Sequence, residues 1–211
     1  MEYIATLPDK AFDLAVVDPP YAVDANDGSF GRGGVKSVVK TYRKELHRYA
    51  NANKVPDKEY FTNLFRVSKN QIIWGANYYP EHLHHSGWIV WDKKKSDGLL
   101  SMGELAFQSF DKKIIFFRHE WEGFRKGCGS FGQYENKTIH PNQKPLSLYS
   151  WLLQNYAKPG QRILDTHLGS GSSAIAAHYF GCDFVGCEID IDYFNAAKER
   201  FDRETRQVAM F

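Results

Sequence analysis

The sequence predicts an α/β fold with a mostly parallel, twisted sheet and helices on both faces. Apolar runs such as residues 12–18 and 162–165 end in a carboxylate, and near-continuous runs of this kind are typical of strands covered on both faces. Strands alternate with helical patterns in both end regions, which favours parallel pairing. At 211 residues, the chain is expected to form a single domain spanning 1–211.

The predicted elements follow one another in a regular order. Strands are expected at 12–18, 71–75, 87–92, 105–110, 113–118, 162–165 and 182–188. Helices are expected to begin near Asp57, Pro145, Ser172 and Asp190, where an acidic residue, a proline or a serine opens a helical pattern. The last helix has apolar positions at 191, 194, 197 and 201. Asp111-Lys112 is expected to form a hairpin turn between the strands on either side of it.

Two stretches have little periodicity. Basic residues outnumber acidic ones in residues 22–56, and we expect a flexible basic loop there. A polyanion is one partner that such a stretch suits, and a solvated polar loop is the alternative. Residues from about 119 to 139 break up into Trp, Gly, Lys and Asn, which indicates an irregular insertion.

Composition excludes several classes of protein. The net charge is +2, and the three cysteines form no C-x-x-C pair, which argues against a zinc site and a disulfide scaffold. No apolar run approaches the ~20 residues of a membrane span. No charged start leads into an apolar stretch, so a cytoplasmic protein without a membrane partner is expected.

A glycine-rich block lies between a predicted strand and a predicted helix. It runs from Asp165 to Ser173, where glycines let the backbone approach a ligand and the next helix offers free N–H groups. Glu188 follows the next strand, and an acid there can accept both hydroxyls of a ribose. The third glycine of a NAD fingerprint is missing because position 174 is Ala. S-adenosylmethionine is therefore favoured over NAD, and a plain turn without a ligand remains the alternative.

The tetrapeptide Asp18-Pro19-Pro20-Tyr21 follows the first strand. An aromatic amino group is a poor nucleophile, since its lone pair is delocalised into the ring, and two acceptors around its protons make the nitrogen more tetrahedral. Asp18 supplies one acceptor and the Pro19 carbonyl the other, while the prolines fix the turn. Tyr21 suits stacking on a base rotated out of a duplex. The charge of Asp18 also stabilises the ammonium that develops during methyl transfer.

Three blocks together resemble the amino-methyltransferases of DNA, which act on adenine N6 or cytosine N4. They are Asp18-Pro19-Pro20-Tyr21, His140-Pro141-Asn142-Gln143-Lys144-Pro145, and the glycine-rich block with Glu188. The catalytic block precedes the cofactor block, which is similar to the permuted beta order of that family. Residues 70–79 are similar to phage or prophage members. The resemblance implies a Rossmann-like, S-adenosylmethionine-dependent methyltransferase fold with circularly permuted motif order.

The resemblance also implies roles for individual residues. The catalytic residues are Asp18, Pro19, Pro20 and Tyr21. Those that bind S-adenosyl-L-methionine are Asp165, His167, Gly169, Ser170, Gly171, Ser172 and Glu188, with Lys144 as a partner for the cofactor carboxylate or as a solvated lysine. The basic charge of the stretch after the catalytic block, rather than the resemblance, predicts contacts with the phosphates of double-stranded DNA from Arg32, Lys36, Lys40, Arg43 and Lys44. Residues from about 119 to 139 correspond to a short target-recognition insertion.

The chain departs from the family in two places. Asp165-Thr166-His167 stands where many members have Asp-Pro-Phe, so His167 either replaces an aromatic residue over the cofactor or fills space. Family members often carry an acidic residue for the cofactor adenine before a segment like Glu2-Tyr3-Ile4. The chain starts at Met1, so another residue is expected to serve or the native start to lie further upstream.

Adenine-N6 methylation of DNA is the leading hypothesis. Within the family, Asp at the first position of the catalytic block leans toward adenine and Ser toward cytosine. Cytosine-N4 methylation stays open because the chemistry is the same. A non-catalytic DNA-binding subunit of a methyltransferase pair is an alternative of another class. A homodimer, a second subunit and an accompanying restriction enzyme are also left open.

Overall fold

The computed structural model describes residues 2–21, 55–84, 87–94, 101–122, 125–126, 139–140 and 142–206. The predicted basic loop therefore lies almost wholly outside the described residues, as does most of the predicted insertion. Within the described ranges, no helix has the length and apolarity needed to cross a membrane.

The strands are β1 (Phe12–Val17), β2 (Ser68–Trp74), β3 (Gly87–Asp92), β4 (Gly103–Gln108), β5 (Ile114–Arg118), β6 (Trp121–Glu122), β7 (Arg125–Lys126), β8 (Arg162–Asp165) and β9 (Asp183–Gly186). The helices are α1 (Glu2–Ala5), α2 (Lys58–Val67), α3 (Leu146–Tyr156), α4 (Ser172–Phe180) and α5 (Ile191–Thr205), with a short 3-10 turn at Ala76–Tyr78. Each predicted strand and helix is present with shifted ends. The four-residue α1 was not predicted.

Helix starts follow the capping rules. The Asp57 side chain accepts a hydrogen bond from the Tyr60 N–H, and the Asp190 side chain accepts from the N–H groups of Asp192 and Tyr193. Both are N-caps, in which a carboxylate satisfies amides that lack a partner in the first turn. Pro145 lies at the N-cap of α3, one position before the helix begins.

Seven described strands form one sheet in the order β5-β3-β4-β2-β1-β8-β9. The pairings of β1 with β2, β1 with β8, β8 with β9 and β3 with β5 are parallel. Of these seven, only β4 runs antiparallel to both of its neighbours, β2 and β3. The prediction of a mostly parallel sheet is confirmed.

The predicted hairpin between the fourth and fifth strands is wrong, because β3 lies between them. The connection from Gln108 to Lys113 crosses the start of β3 at Gly87. A side chain at Gly87 would place its Cβ within 2.5 Å of the backbone oxygens of Asp111 and Lys113. The Gln108 amide closes the crossing by hydrogen bonding to Asp111 and to the Phe110 N–H. A glycine at 87 thus lets the chain step over one strand.

Helices cover both faces of the sheet. Leu14 and Val16 of β1 face one side, where they pack with residues of α3 and α4 such as Leu148 and Ala177. Alternate residues face the other side, with α1 and α2 over them. In α5, Ala197 is buried, whereas Ile191 and Phe194 are exposed. The apolar positions of that helix are therefore only partly buried.

Candidate active site

The predicted site residues meet at one edge of the sheet. Asp18 directly follows β1, Asp165 ends β8, and Glu188 lies just beyond β9. Because β1, β8 and β9 are parallel neighbours, their carboxyl ends share an edge. After β1 the chain continues to β2 on one side of the sheet order, and after β8 it continues to β9 on the other side. Ligands in open α/β sheets bind at the point where the strand order reverses in this way.

The turn after Asp18 is held by a tyrosine, Tyr79, for which no role was predicted from the sequence. The Tyr79 hydroxyl hydrogen-bonds to the carbonyls of Pro19 and Pro20, at 3.0 and 2.7 Å. Tyr79 is buried. A phenol has one proton, so the two carbonyls share it and each keeps a lone pair. The Pro19 carbonyl remains able to accept a second hydrogen bond.

Tyr21 has an aromatic partner, Tyr78. Their rings are stacked, with planes 3° apart and centroids separated by 4.2 Å. Gly75 has a φ of +68°, and a Cβ there would lie 2.9 Å from the Tyr21 ring. Glycine is required at this position both for the backbone conformation and for the approach of the ring.

Asp18 belongs to a buried network of alternating charges. Its Oδ2 hydrogen-bonds to the Lys144 ammonium. Lys144 Nζ also lies 3.1 Å from Glu104 Oε2, and the other Glu104 oxygen lies 2.6 Å from Lys93 Nζ. Lys144 therefore bridges Asp18 and Glu104, and Lys93 pairs with the other oxygen of Glu104. Neither Glu104 nor Lys93 was predicted, although a lone acid on a strand that is otherwise mostly apolar is a usable signal.

Burial and the nearest opposite charges shift the pKa values of these groups in opposite directions. Burial raises the pKa of Asp18, the Lys144 charge lowers it, and the Glu104 charge raises it further, with a net increase. Burial also raises the pKa of Glu104, but the charges of Lys144 and Lys93 outweigh it, so the pKa is lowered overall. Burial lowers the pKa of Lys144, but the two carboxylates raise it well above its ordinary value. Lys144 is thus a permanent cation.

The other carboxylate oxygen of Asp18, Oδ1, lacks a contact of the kind that Oδ2 makes with Lys144. Asp18 Oδ1 is buried and has no hydrogen-bond partner among the described residues. Buried polar atoms are almost always paired, and an exception calls for an explanation. An acceptor in this state is ready for an N–H donor from a ligand.

The glycine-rich block forms a tight turn between β8 and α4. Gly169 and Gly171 have φ values of +52° and +75°. A Cβ at Gly169 would lie 3.4 Å from the His140 ring, and one at Gly171 would lie 3.3 Å from Ala197. The two glycines therefore bring the loop close to His140 and Ala197, and their role as a ligand cradle stays a prediction.

Glu188 ties the end of β9 to this loop. One carboxylate oxygen accepts from the Gly169 N–H at 2.9 Å, and the other accepts from the Asp190 N–H at 3.0 Å. Each oxygen has a further lone pair. The carboxylate is thus fixed in position and can still accept from hydroxyl groups.

Asp165 holds the loop from inside. Its oxygens accept from the Ser173 hydroxyl at 2.6 Å and from the His167 N–H at 3.0 Å. Burial raises the pKa of Asp165 to about 7, although both hydrogen bonds lower it. The Asp165 side chain thus links the end of β8 to the first turn of α4 and to the His167 backbone.

His167 is linked to α2. Thr166 Oγ1 lies within hydrogen-bond distance of both the Tyr60 hydroxyl and His167 Nδ1, at 2.7 and 2.9 Å. The His167 ring packs edge-on against Tyr60. Burial lowers the pKa of His167 to about 3, so its imidazole is neutral at pH 7. Whether His167 stands in for the aromatic residue of other family members stays a prediction.

Ser170 and Ser172 are both buried and anchored by an arginine that was not predicted. Arg200 of α5 donates to the Ser170 carbonyl at 3.1 Å and to the Ser172 hydroxyl at 2.9 Å. The Ser172 hydroxyl in turn donates to the Lys144 carbonyl. This bond joins the glycine-rich block to Lys144, whose ammonium contacts Asp18.

The predicted phosphate contacts lie outside the described residues: Arg32, Lys36, Lys40, Arg43 and Lys44. Of the predicted target-recognition insertion, the short antiparallel pair β6 and β7 is described. Both assignments stay predictions.

A sequence model of the N6_N4_Mtase family, described as DNA methylase, matches residues 40–199. The matched span contains Lys144, the glycine-rich block and Glu188, and it begins after Tyr21. Type II methyltransferase M1.MboII of Moraxella bovis is 23% identical over 247 aligned residues, covering 93% of this chain and 91% of that protein. Type II methyltransferase M2.MboI of the same species is 24% identical over 242 residues, covering 97% and 86%.

Solved structures share the fold. TTHA0409 of Thermus thermophilus, solved with S-adenosyl-L-methionine, has a TM-score of 0.59 at 18% identity, covering 98% of this chain and 93% of that one. M1.HpyAVI, solved with SAM, has a TM-score of 0.56 at 19% identity, covering 95% and 92%. The PvuII DNA methyltransferase, which is cytosine-N4-specific, has a TM-score of 0.57 at 11% identity, covering 96% and 86%. The predicted fold class is confirmed.

Proposed function

The chain belongs to the N6/N4 DNA methylase family, and we propose that it transfers a methyl group from S-adenosyl-L-methionine to the exocyclic N6 of a flipped-out adenine in double-stranded DNA. The observation that carries this proposal is the buried Asp18 Oδ1, which has no partner among the described residues. It stands at the carboxyl end of a central parallel strand, beside two carbonyls held by Tyr79.

The residues around the glycine-rich block suit the cofactor. Positive φ values at Gly169 and Gly171 leave the loop backbone open to close approach. Glu188 keeps lone pairs for the ribose hydroxyls. Ile189, directly after it, is 77% exposed, and an exposed aliphatic residue beside the ribose acceptor suits the face of a purine ring. When bound, S-adenosylmethionine supplies an electrophilic methyl group on a sulfonium sulfur.

Asp18 and the Pro19 carbonyl would accept the two protons of the adenine amino group. This pulls electron density back onto the nitrogen, whose lone pair forms the new bond to carbon while the old carbon–sulfur bond breaks. The nitrogen then carries a positive charge until it loses one proton. The Asp18 carboxylate stabilises that charge where it develops. Tyr21 and Tyr78 offer an aromatic surface for the flipped base.

Adenine is proposed on the identity of the first residue of the catalytic block, Asp18. Cytosine-N4 methylation is the second candidate, since the cytosine-N4-specific PvuII enzyme has the same fold. Both reactions need the same two acceptors. A non-catalytic subunit is less well supported, because a subunit without chemistry has no use for a buried carboxylate oxygen held ready for a donor.

DNA is the proposed polyanion for the basic stretch, with Arg32, Lys36, Lys40, Arg43 and Lys44 on its phosphates. A cytoplasmic location is proposed because the substrate is DNA. A homodimer or a second subunit remains part of the proposal, as does a partnership with a restriction enzyme.

The test is expression in a methylation-free bacterium, followed by direct long-read sequencing of its DNA. We expect N6-methyladenine at one short sequence, and no modification with Asp18→Ala, which should still bind S-adenosylmethionine in calorimetry. The rate of methyl transfer should fall by ~10²-fold or more, as when a transition-state hydrogen-bond partner is removed. N4-methylcytosine alone would show that the base assignment is wrong. Unmodified DNA from a wild-type chain that binds the cofactor would favour the non-catalytic subunit.

A further inference from the structure

A line of four alternating charges runs from Asp18 along the end of the sheet where β1 and β3 finish and β4 begins. Lys144 contacts both Asp18 and Glu104, and Glu104 contacts both Lys144 and Lys93. The side chains of Lys144 and Lys93 are 5% and 13% exposed. Glu104 lies on β4, and Lys93 follows β3, its hydrogen-bonded neighbour. The four charges therefore come from four separate parts of the chain.

Stability alone does not explain this arrangement. Burial of charged groups is costly, and well-packed apolar residues often serve a core equally well or better. The network lies at the proposed reacting centre, and its central cation contacts the proposed catalytic carboxylate. Its effect on Asp18 is therefore the property to examine.

A single lysine paired with Asp18 would oppose the proposed chemistry. The two charges would cancel, and the positive charge that develops on the target nitrogen would meet a neutral pair. Glu104 changes this balance because it shares the same ammonium at 3.1 Å. Lys144 then serves two carboxylates, and Asp18 keeps part of its negative charge uncompensated.

We propose that Glu104 is a positioning residue for methyl transfer. It shares the Lys144 ammonium with Asp18, so that Asp18 Oδ2 is anchored while Oδ1 stays available to the amino group of the base. Lys93 fixes Glu104 through the other carboxylate oxygen. This inference rests on the proposed function for its effect on rate, but its effect on Asp18 can be measured in the free protein.

The first test is Glu104→Gln, which keeps the size of the side chain and removes its charge. Methyl transfer to genomic DNA from a methylation-free bacterium, measured in a single turnover with labelled methyl donor, should slow by about tenfold, less than the ~10²-fold of losing a direct contact. The dissociation constant of S-adenosylmethionine should stay within about threefold. Asp92→Asn is the matched control. Asp92 follows Trp91, the residue of β3 that pairs with Glu104, and its carboxylate pairs with Arg118 rather than with Lys144.

The second test needs no activity. The Asp18 carboxyl carbon is titrated by ¹³C NMR in the free protein. The Glu104 charge raises the pKa of Asp18 and the Lys93 charge lowers it. Glu104→Gln should therefore move the Asp18 midpoint to lower pH, and Lys93→Met should move it to higher pH. The other groups that couple electrostatically to Asp18 stay in place: Lys144, Tyr21, Tyr60, Tyr149 and Asp165.

The outcomes separate the two proposals. If wild type leaves DNA unmodified, the proposed function fails, and the NMR midpoints still decide whether Glu104 acts on Asp18. If wild type methylates DNA while Glu104→Gln matches it in rate and midpoint, the inference is wrong. If Glu104→Gln does not fold, Lys93→Met decides, and an unmoved midpoint in that variant overturns the inference. The inference is supported if the acidic side of the pH–rate profile moves to lower pH in Glu104→Gln. A purely structural role for Glu104 would leave that part of the profile in place.

Discussion

The ring of Tyr21 lies flat against the ring of Tyr78, with centroids 4.2 Å apart. A base cannot enter between them at that spacing, because a third ring would need the two centroids about twice as far apart. A flipped base must therefore stack on the outside of the pair or displace Tyr78. In either case Tyr78, which is 50% exposed, belongs to the proposed base pocket.

Replacing Tyr78 tests this pocket. Tyr78→Ala should weaken capture of the flipped base by ~1–3 kcal/mol, the usual contribution of one aromatic side chain stacked on a base. We expect a matching fall in kcat/KM for methyl incorporation into DNA, with the cofactor affinity unchanged. Tyr78→Phe is the control, since it keeps the ring. Equal rates for wild type and Tyr78→Ala would remove Tyr78 from the pocket.

Tyr79→Phe should loosen the turn that carries the second acceptor. The substitution leaves the Pro19 and Pro20 carbonyls without their shared donor, and an unpaired buried acceptor costs about 1–3 kcal/mol. Urea unfolding should show this loss, and methyl transfer should slow as well. Tyr78→Phe, one residue away, should be as stable as wild type. A Tyr79→Phe protein with normal stability and rate would contradict the role given to this hydroxyl.

Glu188→Ala should act mainly on the cofactor. Hydrogen bonds to a charged group contribute about 1.5–3 kcal/mol, so the dissociation constant of S-adenosylmethionine should rise roughly 10- to 100-fold in calorimetry. The rate at saturating cofactor should change far less. Glu199→Gln, an exposed change on α5, is the control. An unchanged dissociation constant in Glu188→Ala would mean that the ribose assignment fails.

Neutralising Arg32, Lys36 and Lys40 together should reduce the salt dependence of DNA binding. The slope of log K against log salt should fall by up to ~0.9 for each phosphate that the protein no longer neutralises, measured by fluorescence anisotropy over a series of salt concentrations. The control neutralises Lys112, Lys113 and Lys158, which are exposed and precede strands at the opposite edge of the sheet. If both triple variants keep the wild-type slope, the basic stretch does not contact phosphates.

Local sequence signals predicted the elements of this fold well. The apolar run before Asp18 became β1, and Asp57 and Asp190 became N-caps, because such signals depend on neighbouring residues. The hairpin at Asp111-Lys112 failed for a non-local reason. The strand that separates β4 from β5 begins at Gly87, and only the folded chain shows that the connection crosses it.

The convergence of Asp18, Asp165 and Glu188 at neighbouring strand ends followed from the predicted strands. The contacts of the site residues were less predictable. Lys144 was expected at the cofactor carboxylate, which stays a prediction, and the contacts of its ammonium with Asp18 and Glu104 were not predicted. Glu104 could be noticed as a lone acid on a mostly apolar strand, but its partner and that of Tyr79 are distant in sequence, which spacing cannot reveal. Arg200 was detectable, since it lies three residues after the buried Ala197 on the same side of α5, where a charge is unusual.

The unpaired oxygen of Asp18 also has a meaning for folding. Burial without a donor lowers the free energy of unfolding, by about 1–3 kcal/mol for an uncompensated polar atom. The fold therefore tolerates a local defect at its most reactive point and offsets it with the packed layers on either side of β1. Removing Asp18 would relieve this defect, but it would also take from the buried Lys144 ammonium one of its two carboxylate contacts among the described residues, and loss of one partner of a buried pair is itself destabilising. A stabilised variant that lacks Asp18 would therefore also need a change at Lys144, and it would be inactive.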